Sequence, residues 1–213
     1  MIKNFKLIIL CLALAFGYCS CAAIMMTIYG ISLPKEKSEK QIAKGIHKYK
    51  LNEFDHYFIS EEGFISFLRT NRQIYPGTKC LHLNDIFTFK NGKLVYPVQI
   101  TGCNSTGVGL IRQLQDSTSY VIRDSISIDS LINAKNILNF DSLQYAQATQ
   151  GKDFVILLYW GLFGGRTNKD GIKYPADIIK REIDSNNLNA AVFFVNWDIK
   201  EGWSFNNLME IKE

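Results

Sequence analysis

The distribution of apolar and charged residues divides the chain into an amino-terminal segment, a charged stretch and a body. Leu7–Leu33 is an unbroken run of 27 residues without a charged side chain. Lys35–Lys50 is rich in charge, and Ile42 and Ile46 are its only regular apolar pair, so we expect a short exposed helix or a tether there. The pattern predicts an anchor or signal at residues 1–33, a charged tether at 34–50 and one folded domain at 51–213.

The first predicted element of the body is a helix. Ser60–Glu62 is typical of a helix start, because acidic side chains favour the first turn. Phe64, Phe67 and Leu68 then recur at helical spacing and predict a short amphipathic helix. Weaker patterns predict a helix at Val108–Leu114, a strand within Ser117–Ser127 and a helix at Asp141–Gln150.

A hairpin is the clearest local prediction. Asn91 and Gly92 lie between two stretches in which apolar and polar residues alternate, and this pair suits a turn in which both residues have positive φ. A two-residue turn places Phe89 opposite Leu94. Pro97 has no N–H to donate, so we expect the ladder to end or bulge near it.

The last third of the body has the pattern of a βαβ unit. Phe154–Trp160 and Ala190–Val195 are continuous apolar runs, typical of strands buried on both faces. Pro175–Asp184 between them reads as a helix with proline in its first turn. The two strands should be parallel and joined by a right-handed crossover, which predicts an α/β fold.

Composition narrows the function classes. The chain has 213 residues, 47% apolar and 21% charged, which fits one globular domain. Its net charge of +4 is too small and dispersed to indicate a nucleic-acid partner. None of His47, His56 and His82 lies at metal-ligand spacing, and we expect no metal or other cofactor. Asp55 and His56 suggest a base and its orienter, but no nucleophile can be assigned.

The amino terminus resembles an export signal. Lys3 and Lys6 precede an apolar run, and small residues and cysteines follow. Three interpretations stay open. A lipoprotein signal is cleaved before Cys21, whose thiol carries the lipid; or the run is an uncleaved membrane anchor, for which about 20 apolar residues suffice; or cleavage near Ala23 releases a soluble protein.

Charge around the run adds a further alternative. Five lysines lie within residues 35–48 against two before the run, and the positive-inside rule would then keep the body in the cytoplasm. That rule weakens for long translocated domains. We therefore expect a membrane-associated, extracytoplasmic protein, at the periplasmic face or the cell surface.

The stretch Asp141–Asp198 resembles the thioredoxin-like family. It matches a lead-in helix, a strand ending at Trp160, a helix opening at Pro175, and a strand followed by an acidic residue. The resemblance implies a three-layer α/β arrangement of a sheet with flanking helices. Active members carry Cys-x-x-Cys after the tryptophan, whereas Gly164 and Thr167 stand there in this chain. The resemblance thus implies a redox-silent domain.

The second half of that family pattern is displaced. Thioredoxin-like proteins continue through a cis-proline, two strands and a final helix, but 15 residues follow Asp198 here. The hairpin at Asn91-Gly92 and the helix after it are similar in character to that half, which allows a permuted or rearranged sheet. The chain also resembles small bacterial lipoproteins with a redox-silent domain of this type.

Cys80 and Cys103 are the two cysteines of the predicted body. In an oxidising compartment two such cysteines commonly pair, so a structural disulfide around the hairpin is expected, with two buried free thiols as the alternative. The 22 residues between them differ from the compact pair that lowers a thiol pKa. A catalytic thiol pair is the remaining alternative.

The loop Gly161–Gly171 follows a buried strand at the edge where open α/β sheets bind ligands. It lacks the spacing and the lysine of a phosphate loop, and the simplest interpretation is a flexible connection. Arg166 and Lys169 are candidates to meet an anion or an acidic partner. The remaining candidate binding residues are the aromatic side chains Trp160, Phe163 and Trp203.

The sequence as a whole favours an exported, membrane-anchored protein with a non-catalytic thioredoxin-like domain. Its expected partners are the membrane, through a lipid or a helix, and a protein that the sequence does not identify. The alternative is a thiol-disulfide oxidoreductase that uses Cys80 and Cys103.

Overall fold

The computed structural model describes residues 36–74, 85–98, 106–165, 168–185, 187–200 and 203. Its α-helices are α1 (Glu39–Lys48), α2 (Glu61–Ile74), α3 (Thr106–Ile111), α4 (Ser142–Thr149) and α5 (Tyr174–Asp184). Its strands are β1 (Asp55–Ile59), β2 (Ile86–Lys90), β3 (Lys93–Pro97), β4 (Tyr120–Ser127), β5 (Ile137–Leu138), β6 (Phe154–Trp160) and β7 (Ala190–Asn196). Among the helices of these residues, none is both long and apolar enough to cross a membrane.

The strands form one mixed sheet in the order β4-β3-β2-β6-β7-β1-β5. The three strands β6, β7 and β1 are parallel, and every other pairing is antiparallel. The predicted βαβ unit is confirmed, because β6 and β7 pair in parallel along their whole length with α5 between them. The prediction of the α/β class is therefore confirmed.

Helices cover both faces of the sheet. Alternate residues of each central strand point to opposite faces, and this divides the core into two clusters. The first cluster includes Leu157 and Tyr159 of β6 and side chains of α2, with α4 packed against it. The second includes Ile156 and Leu158 of β6 and side chains of α1, α3 and α5.

The hairpin forms as its turn residues predict. Asn91 has a φ of 53° and Gly92 a φ of 76°, and Phe89 lies opposite Leu94. The pairing of β2 with β3 covers three residue pairs and does not reach Pro97, which pairs with Tyr120 of β4 instead. The expectation that the ladder ends before this proline is confirmed.

Residues 39–48 form the helix α1, which packs against the sheet through one narrow face. Ser38 N–H donates to the Gln41 side chain at 2.9 Å and caps α1. Ile42 is only 1% exposed, and a side chain on Gly45 would clash with the tip of Leu162. The expected short helix is confirmed, and its charged side chains are exposed.

Candidate functional site

The carboxyl ends of β6, β7 and β1 meet at one edge of the sheet, which is where open α/β sheets bind ligands. Trp160 ends β6, Asn196 ends β7, and Asp198 follows two residues later. A turn of 3-10 helix, Leu162–Gly164, comes directly after β6. These elements define the candidate site, which we call the carboxyl edge.

Asp198 organises the carboxyl edge. Its side chain is buried, and Leu162 N–H donates to both carboxylate oxygens, at 2.9 and 2.8 Å. Asn196 donates its side-chain amide to Oδ2 at 2.8 Å. Burial raises the pKa of Asp198, against the lowering effect of the hydrogen bonds from Asn196 and Leu162. The carboxylate therefore caps the 3-10 turn and ties β7 to the loop after β6.

A second buried group fixes the far side of the same loop. The Asn168 amide donates to the Gly161 carbonyl at 2.9 Å and to the Tyr49 hydroxyl at 3.3 Å. The Tyr49 hydroxyl donates in turn to the Gly165 carbonyl at 3.2 Å. A turn of π-helix, Lys169–Lys173, then leads into α5. Buried hydrogen bonds thus link the described part of this loop to the residue that follows α1.

His56 lies beside Trp160, with ring centroids 6.4 Å apart. Its Nε2 is 2.9 Å from the Leu51 carbonyl, and burial lowers its pKa. Adjacent residues of a strand point to opposite faces, so Asp55 does not orient this ring as a base. Among the described residues, His56 Nδ1 and Trp160 Nε1 are buried without a hydrogen-bond partner.

The other face of the sheet carries a polar pair that the sequence did not reveal. Asn71 donates its amide to Asp85 Oδ2 at 2.7 Å, and both side chains are buried. Tyr159 N–H donates to the Asp85 carbonyl at 2.8 Å. Burial and the nearby Asp85 carboxylate raise the pKa of Tyr159. The Tyr159 phenol is therefore neutral, and its role in the core is structural.

Burial places two of the candidate binding residues in the core. Trp160 is 0% and Phe163 3% exposed, and Phe163 meets the ring of Trp197 edge-on at 4.6 Å. The structure thus places both rings in the core, and a binding role for them stays a prediction. Trp203 is half-buried, with its ring 5.8 Å from that of Phe64.

Of the remaining candidates, Lys169 is the one that lies within the described residues. Lys169 is the first residue of the π-helical turn. Outside the described residues lie Cys21, Cys80, Cys103 and Arg166. Within the described ranges, no three His, Cys, Asp or Glu side chains form a group that would hold a metal ion.

Comparisons with protein-family models, with curated proteins and with solved structures give no match. The function of this chain is therefore inferred from its own residues. At the carboxyl edge these residues cap a turn, fill the core and fix a loop.

Proposed function

We propose that this protein is an exported, membrane-anchored binding or accessory module whose α/β domain is non-catalytic. One observation carries the proposal. At the position where the thioredoxin-like resemblance puts a reactive thiol pair, the chain has the turn Leu162–Gly164, capped by the buried Asp198 carboxylate. Leu162 N–H and the Asn196 side-chain amide donate to this carboxylate, and the loop Gly161–Gly171 contains no cysteine.

The domain is proposed to be a rearranged thioredoxin-like domain. Support comes from the order α4, β6, α5, β7 and from the parallel pairing of the two strands. The hairpin of β2 and β3 lies in the same sheet, with β2 directly beside β6. No peptide bond of the described residues is cis, which departs from the family pattern.

The membrane part of the proposal depends on the sequence. The uncharged run of 27 residues is long enough for an anchor, and Cys21 is the candidate for lipid attachment. The proposed partners are the membrane and a protein of the same compartment, and nucleic acid is not among them. The alternative function, thiol-disulfide exchange through Cys80 and Cys103, stays a prediction.

Fractionation of bacteria that express the full chain tests this localisation. We expect the protein in the membrane fraction and open to protease added outside spheroplasts. Cys21→Ser should abolish labelling by radioactive palmitate, whereas Cys19→Ser, the matched control, should keep the label. Membrane retention without any label would identify the uncleaved helix as the anchor and still support the proposal. A protein that is soluble, or protected from external protease, would contradict it.

A further inference from the structure

A cleft of about 250 Å³ opens at the amino-terminal ends of β6 and β7, opposite to the carboxyl edge. Lys90 at the end of β2, Phe154 at the start of β6 and the turn 187–189 before β7 line it. Leu114 and Leu188 add buried apolar surface. At about 30 Å³ per water molecule in the liquid, this space suits a small organic molecule.

Lys90 is a half-buried cation that contacts a tyrosine hydroxyl and an aromatic ring. Its ammonium donates to the Tyr120 hydroxyl at 3.0 Å. It also lies 5.3 Å from the ring centroid of Phe154, within the range of cation–π attraction. Among the described residues, no carboxylate oxygen lies within 4.0 Å of this ammonium. Within the described part of the chain, the ammonium is thus in contact with a hydroxyl and an aromatic ring but with no carboxylate.

Two side-chain amides that line the cleft donate hydrogen bonds to neighbouring groups of the protein. The Gln115 amide donates to the Asn187 carbonyl at 2.6 Å. The Asn189 amide donates to Asp153 Oδ2 at 3.2 Å and to the Gly151 carbonyl at 2.9 Å. Lys90 and Asp153 are thus the two charged side chains that line the cleft. Lys90 is the one that can bind an anion, and the Asp153 carboxylate disfavours a ligand with more than one negative charge, such as phosphate.

We propose that this cleft binds a small amphiphilic monocarboxylate. The ligand carboxylate accepts a charge-assisted hydrogen bond from Lys90, and its hydrocarbon part contacts Phe154, Leu114 and Leu188. The resulting small-molecule site goes beyond the proposed protein-binding role and does not depend on where the chain is anchored.

Calorimetric titration of the full chain in detergent, with 3-phenylpropionate as the probe, tests the proposal. The uncharged 3-phenylpropan-1-ol has nearly the same shape and is the control ligand. We expect the carboxylate to bind at least about tenfold more tightly than the alcohol, because a hydrogen bond to a charged group is worth this much or more. Equal affinity of the two ligands would overturn the proposal.

Three variants separate the charge of the cleft from its shape. Lys90→Gln should reduce the carboxylate's affinity about tenfold and leave the alcohol's unchanged. Lys93→Gln, whose ammonium contacts Asp124 at 2.5 Å outside the cleft, should bind both ligands as the wild type does. Ser117→Trp, at an exposed residue lining the cleft, should abolish binding of both and gives an independent test if Lys90→Gln does not fold. Wild-type carboxylate binding by Lys90→Gln or Ser117→Trp would contradict the proposal.

Discussion

Trp197→Ala is expected to lower the free energy of unfolding by about 3–5 kcal/mol, the usual cost of removing a large buried aromatic side chain. Trp197 follows β7 and is 1% exposed. Its ring lies 5.8 Å from that of Phe64 and 5.2 Å from that of Phe67. The edge-on contact with Phe163 adds the turn after β6 to the same cluster. The substitution leaves a cavity between α2, β7 and that turn.

Urea unfolding followed by circular dichroism measures this effect. Leu143→Ala is the matched control, because Leu143 is 67% exposed and such substitutions change stability by about 0.5 kcal/mol or less. A loss below about 1 kcal/mol for Trp197→Ala would show that the site can collapse around the missing ring, and would contradict the close packing described for the carboxyl edge.

Gly63→Ala is the second large expected effect. Gly63 lies in the first turn of α2, and a Cβ atom there would come within 2.1 Å of the Asn136 carbonyl oxygen and 2.7 Å of Ile59 Cγ1. The Asn136 carbonyl is fixed, because it accepts a hydrogen bond from Ser60 N–H at 2.8 Å. Backbone must therefore move, and we expect a loss of about 1–3 kcal/mol or more.

Gly109→Ala is the matched control for this substitution. Gly109 also lies in a helix, α3, and a Cβ atom there would have no neighbour within 4 Å. Alanine favours a helix over glycine by up to about 1 kcal/mol, so this variant should be slightly more stable than the wild type. Thermal unfolding should shift in opposite directions for the two variants, and a gain for Gly63→Ala would refute the tight approach of α2 to Asn136, the residue before β5.

Local patterns were enough to predict the strongest elements of the fold. Asn91-Gly92 predicts a turn because both residues readily adopt a positive φ. The runs that form β6 and β7 are apolar throughout, which predicts burial on both faces of each strand. The strand β1 was missed because Asp55 and His56 interrupt its apolar pattern. The two residues of β5 are defined only by their pairing with β1, which no local pattern shows.

The sites were harder to predict than the fold, because they are built from residues far apart in the chain. Asp198 contacts Leu162 across 36 positions, and Asn168 meets Tyr49 across 119. The burial of Trp160 depends on the packing of α1, a segment whose charged residues predict an exposed helix or a tether. Lys90 gave no signal in the sequence, because the Tyr120 hydroxyl and the Phe154 ring that contact its ammonium are far from it in the chain.

We propose a domain that does no thiol chemistry, and a disulfide-exchange assay tests this most directly. Insulin reduction by dithiothreitol is followed with the full wild-type chain and with the double variant Cys80→Ser, Cys103→Ser. We predict that both proteins leave the uncatalysed rate unchanged. A wild-type chain that accelerates the reaction, with the acceleration lost in the double variant, would contradict the claim and establish the oxidoreductase alternative.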